Sequence, residues 1–149
     1  MGASALIFKG TTMTSNTKSI GVAFEDQDII GSNFVLSGGE LGYTAEASGT
    51  VTQLTSKSTG VTLNKSAGQI TMNAASLAAG ATVLFTLTNS TLSAKDVLVV
   101  NVGSGGTSGA YWPYVANVAA GTAVIGVYNN TAGPLAEAIV INYGIVHVL

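Results

Sequence analysis

Between Thr82 and Thr88 the chain alternates strictly: Val83, Phe85 and Leu87 take every second position, with Leu84, Thr86 and Thr88 between them. A period of two turns alternate side chains to opposite faces, so the segment reads as a β-strand with one face buried. Two other segments, residues 96–102 and 138–148, are apolar on both faces. Such strands are covered on both sides, one by the core and the other by a contact available to a second subunit.

Short β-branched runs bounded by Gly, Asn and Ser mark further strands at 50–53, 60–63, 69–72, 110–118 and 123–128. Pro113 lacks an amide donor, which places its strand at a sheet edge or at a bulge. Residues 77–80 and 118–121 share a Leu/Val-Ala-Ala-Gly turn just before a strand, an echo too short to show a duplication. About eight strands in about 100 residues suit an antiparallel β-sandwich of jelly-roll-like kind over residues 48–149.

Residues 1–47 differ in character. A polar stretch at 11–19 is followed by Glu25, Asp26 and Asp28 and then by a Gly-rich stretch at 37–42. They read as an extended N-terminal arm with short strands at 20–24 and 33–36. Ordering each residue costs about 1–2 kcal/mol of backbone entropy, so an arm without a core needs a neighbouring subunit or a scaffold to hold it.

Composition sharpens this picture. With 47% apolar residues in 149, the chain can bury a substantial core. Only 8% of residues are charged, and there is no arginine; soluble domains carry about 25% charge. Five lysines and seven acids are too few to cover the surface of about 7,000 Å² expected for this mass. Ser, Thr, Asn and Gly coat the remainder, or subunits bury it between them.

A net charge of −2 leaves nothing to neutralise a row of phosphates, which argues against nucleic-acid binding. No polybasic segment or uninterrupted apolar stretch of about 18 residues points to a membrane. With no cysteine, disulfides and thiolate metal sites are excluded. The first residues lack the basic and apolar regions of a secretory signal, so the product is expected to be made in a cytoplasm. Glycosylation sequons at 64–66, 89–91 and 129–131 therefore carry little weight.

Candidate chemistry is sparse. His147, the single histidine, is read as a packed or sheet-facing residue, because a catalytic triad would need it exposed and oriented by a carboxylate. No Gly-x-Ser-x-Gly elbow occurs. Residues 103–109 are Gly-rich but lack the Lys-Ser/Thr ending and following helix of a phosphate loop, and read as a flexible hairpin loop. Glu25, Asp26 and Asp28 lack the remaining ligands of a calcium loop and read as an acidic turn able to meet a basic scaffold. Tyr111, Trp112 and Tyr114 form an aromatic cluster suited to stacking on a sugar or to anchoring an interface. No catalytic, cofactor-binding or metal-binding residue is assigned, and an enzyme is not expected.

Residues 49–65, Gly-Thr-Val-Thr-Gln-Leu-Thr-Ser-Lys-Ser-Thr-Gly-Val-Thr-Leu-Asn-Lys, and 68–73, Gly-Gln-Ile-Thr-Met-Asn, resemble a module of tailed-phage and prophage virion proteins. The likeness continues at 76–81, 85–90, 95–97 and 135–142, covering roughly residues 49–142. It implies a trimeric β-sandwich that decorates a capsid or forms part of a fibre, with no catalytic residues to carry over. The expected function is that of a capsid decoration or cement protein, on the virion surface, contacting the major capsid protein and its own copies. The alternative is a head- or tail-fibre tip that binds a host receptor or glycan through Tyr111, Trp112 and Tyr114. A non-viral assembly protein is the third reading.

Overall fold

The computed structural model describes residues 41–148. A three-residue 3-10 turn at Ala45–Ala47 precedes eight strands: β1 Ser48–Thr52, β2 Val61–Thr62, β3 Ala67–Thr71, β4 Thr82–Thr88, β5 Val97–Ser104, β6 Tyr111–Ala119, β7 Thr122–Asn129 and β8 Val140–Val146. All eight overlap the segments expected to be strands. The described residues are all-β with almost no helix.

Two four-stranded sheets form, in the orders β1-β3-β8-β5 and β2-β4-β7-β6. Both are mixed, which corrects the expectation of purely antiparallel pairing: β1 runs parallel to β3, and β2 parallel to β4. A parallel pair cannot be closed by a tight hairpin and needs a crossover. Here the crossing segment is a strand of the other sheet, because the chain alternates between sheets from β1 to β6. The one connection that stays within a sheet joins β6 to β7.

That alternation places a core-facing row from each sheet against the other. Ile70, Leu98, Ile141 and Ile145 from the first sheet and Phe85, Leu87, Ile125 and Val127 from the second belong to a single buried cluster. Each such side chain taken out of water contributes about 1.5–3 kcal/mol. The expected alternation in β4 is present, with Phe85 and Leu87 buried and Leu84, Thr86 and Thr88 exposed. Tyr143 is buried among them, and its hydroxyl donates to the Lys65 carbonyl at 2.9 Å. Desolvation pushes its pKa up to about 12.

Pro113 lies on β6, an edge strand, and β6 is bulged between Val115 and Asn117. Both features agree with a residue that cannot donate to a ladder. Residues 103–109 correct a second expectation: the first two end β5 and the rest lead to β6 in the other sheet, so they are not a hairpin. Of the arm expected over 1–47, residues 41–47 are described, and the Tyr43 hydroxyl donates to the Ile145 carbonyl of β8. The strands expected at 20–24 and 33–36 lie outside the described residues.

Candidate functional site

Strand geometry splits the aromatic cluster of β6. Tyr111 is 4% exposed and faces the core, whereas Trp112 and Tyr114 are 55% and 43% exposed on the opposite face. Trp112 stands beside its register partner Tyr128, ring centroids 6.1 Å apart and planes tilted by 54°. Tyr114 is paired with Gly126 and lies over it, so closely that a Cβ there would fall 2.3 Å from the Tyr114 ring. On the far side of Gly126 stands exposed Leu84 of β4. Trp112, Tyr114, Tyr128 and Leu84 thus form one outward patch, two of whose members the sequence run did not reveal.

Tyr111 serves a different cluster, beneath the Gly-rich connection. Buried Lys57 donates from Nζ to the carbonyls of Asn73 at 2.6 Å and Glu137 at 2.5 Å, and lies 5.8 Å from the Tyr111 ring centroid. Burial lowers the Lys57 pKa and raises that of Tyr111. The Tyr111 hydroxyl feels the nearby Glu137 charge without meeting the geometry of a hydrogen bond. Glu137 accepts from Thr107, from the amide at 3.1 Å and from the hydroxyl at 3.0 Å. Those contacts, led by the Thr107 amide, hold its carboxyl below the usual range. The loop that superficially resembles a phosphate cradle therefore holds an anion belonging to the chain itself. A cleft of about 330 Å³ remains beside it, lined by residues 102–109 and Tyr111.

His147 is not packed away as expected. Its side chain is 40% exposed, and Nδ1 lies 2.9 Å from the Asp96 carboxylate, whose side chain is 1% exposed. Asp96 also accepts from the Ser93 amide and hydroxyl and from the Val148 amide. The ionised carboxylate can only accept, so Nδ1 carries a proton and donates to it. A base oriented by a carboxylate is present; among the described residues no serine or threonine hydroxyl hydrogen-bonds to it. The adjacent cleft is lined by Leu41, Gly42, Tyr43, Val146 and His147.

Two of the three sequons are structural corners. Asn89 and Asn129 are fully buried. Each accepts through Oδ1 from the amide and the hydroxyl of the threonine two residues on. Asn89 Nδ2 donates to the Lys65 carbonyl, and Asn129 Nδ2 to those of Leu77, Ala78 and Gly133. The shared Ala-Ala-Gly turns meet these corners reciprocally: the Gly80 amide donates to the Asn129 carbonyl, and the Asn89 amide to the Gly121 carbonyl. The echo in the sequence is thus a matched pair of turns closing opposite ends of the β4–β7 pair.

None of the eight strands carries a charged residue. Among the described residues Glu46, Lys57, Lys65, Lys95, Asp96 and Glu137 all lie outside the strands. The outward face of β8 and β5 presents Val97, Val99 and Val146, and beyond them a polar row in which Gln69 donates to Asn142 at 3.1 Å. Glu25, Asp26 and Asp28 lie outside the described residues. Among the described residues no group of three or more His, Cys, Asp or Glu is placed to hold a metal ion, and no helix is long and apolar enough to cross a membrane. Comparison with known proteins finds no matching family model, curated protein or solved structure.

Proposed function

We propose that this chain is a structural protein of a phage virion, a capsid decoration or cement protein that associates with its own copies on the head and stabilises the shell, and that it is not an enzyme. The observation that carries the reading is the absence of charge from all eight described strands. An ordinary soluble domain interrupts its outward strand faces with Lys and Glu, which solvate the surface and block association. Here Val97, Val99 and Val146 on one sheet and Trp112, Tyr114 and Leu84 on the other stand exposed on strands that carry no charge. Patches of this kind mark contacts with protein partners.

The resemblance to virion modules supplies the partners: further copies of the chain, in a trimer by that likeness, and the major capsid protein. The nested antiparallel pairs β3–β8 and β4–β7, one in each sheet, support a jelly-roll-like sandwich. Residues 1–47 would be the arm that grips coat subunits, with Glu25, Asp26 and Asp28 facing basic groups of the shell. Many modest contacts acting together stabilise a shell by mass action. Particles made without the protein should lose DNA at lower temperature or milder osmotic shock than complete particles; equal resistance would contradict the cement role.

The outward patch of Trp112, Tyr114 and Tyr128 supports a second reading, a fibre-tip module that stacks on a glycan or host receptor. Phage carrying Trp112→Ala should then adsorb poorly to the host, whereas the cement role predicts normal adsorption.

A further inference from the structure

The Ile145 amide donates to the Ser66 carbonyl beside β3, so the backbone of residue 145 faces β3. Backbone direction alternates along an antiparallel strand. Asn142, Gly144 and Val146 therefore face β5, and their partners Asn101, Val99 and Val97 complete that ladder. Leu98, Val100 and Val102 consequently point their N–H and C=O groups away from β8, at the edge of the sheet. Among the described residues none of these groups has a backbone partner, and the Val102 carbonyl accepts from the side-chain amide of neighbouring Asn101 at 3.2 Å.

The other sheet edges are less suited to pairing. β6 carries Pro113 and a bulge, β2 has two residues, and β1 has five. β5 has eight residues with neither proline nor charge, and exposed Val97 and Val99 stand on its outward face. Natural edge strands normally carry a device that prevents pairing with another chain; β5 is regular until the irregularity between Val102 and Ser104.

We propose that β5 pairs antiparallel with β5 of a second copy, about a two-fold axis at Val100. Val100 then faces its own counterpart, and Leu98 faces Val102 of the other copy in both directions. Each pair exchanges two hydrogen bonds, about six in all, and joins two four-stranded sheets into one. The occupant is a second copy because the strand is self-complementary. It is uncharged, so no like charges meet, and the break after Val102 ends the ladder at the same distance on either side of the axis. Beside the axis, Val99 of one copy stands opposite Asn101 of the other on the outward face. This pairing deepens the self-association proposed above and rests on that part of it alone; the contact can join single chains or trimers.

Val99 and Asn101 would form a non-hydrogen-bonded pair with Cα atoms about 4.5 Å apart, within reach of a disulfide. The chain has no cysteine of its own. Full-length copies bearing Val99→Cys, mixed with copies bearing Asn101→Cys and oxidised, should give a linked dimer as the main product, while either variant alone gives little. Light scattering supplies a second readout: Val99→Lys with Asn101→Lys should halve the particle mass, and Val99→Lys with Asn101→Glu should restore it. Folded variants that link equally well alone and mixed, or not at all, overturn the pairing even if the protein is oligomeric. The cement role is judged separately, by particle resistance.

Discussion

His147 Nδ1 donates to Asp96 at 2.9 Å, tying the end of β8 to the turn that begins β5. The Asp96 carboxylate is held far below its ordinary value of 3.8, first by the Ser93 amide and then by the Ser93 hydroxyl, the Val148 amide and His147. A carboxylate whose folded pKa is depressed stabilises the fold fully above its unfolded pKa, and loses that contribution as pH falls toward the folded value. The melting temperature should therefore be insensitive to Asp96 between pH 7 and about 5 and fall below about pH 4. Asp96→Asn should melt lower at pH 7 and show a shallower acid decline. Parallel melting curves for the two proteins would show that Asp96 is not responsible.

The corner asparagines should separate sharply from their exposed counterpart in urea unfolding. Asn129→Ala removes a buried amide that donates to three carbonyls and accepts from the Thr131 amide and hydroxyl, a loss of about 3 kcal/mol. Thr131→Val, which deletes one hydroxyl at the same corner, should cost about 1 kcal/mol. Asn64→Ala, on the surface with a single contact to the Ser90 amide, should cost about 0.5 kcal/mol.

Two glycines should respond differently to alanine. At Gly126 the new methyl meets the far end of the half-exposed Tyr114 ring. That ring can swing away, so Gly126→Ala should cost less than about 1 kcal/mol while changing the Tyr114 fluorescence. Gly105 combines a φ of +73° with the Ala138 carbonyl 2.7 Å from an added Cβ. Neither strain nor clash can relax without moving backbone, and Gly105→Ala should cost about 2–3 kcal/mol.

Trp112→Ala should leave thermal stability within about 1 kcal/mol of the parent, because the ring is 55% exposed and stands beside Tyr128 on the outward face. A glycan array probed with the parent and with this variant then reads the aromatic patch directly. Binding that disappears with Trp112 favours the fibre-tip reading; no binding by either favours assembly.

Strand positions were legible in the sequence because a two-residue period is a local property, plain in Val83, Phe85 and Leu87. Sheet membership was not. Whether β1 pairs parallel to β3 depends on which strands cross between the sheets, and no local pattern encodes that. The candidate site was partly legible for the same reason. Trp112 and Tyr114 were visible as a run, but Tyr128 and Leu84 join them only through register, and Tyr111 leaves them because it sits one residue out of phase. His147 was misjudged because its partner, Asp96, is 51 residues away. Asn89 and Asn129 stood out in the sequence only as sequons of little weight, and the signal that they are corners lay in the Ala-Ala-Gly echo, whose turns meet them at the two ends of the β4–β7 pair.

The virion role is tested most directly by a reconstruction of the particle at a resolution that shows strands. Density for the two four-stranded sheets is expected on the outer surface of the head, in contact with coat subunits and with further copies of the chain. Density confined to a fibre tip, or a head shell without any, would contradict it.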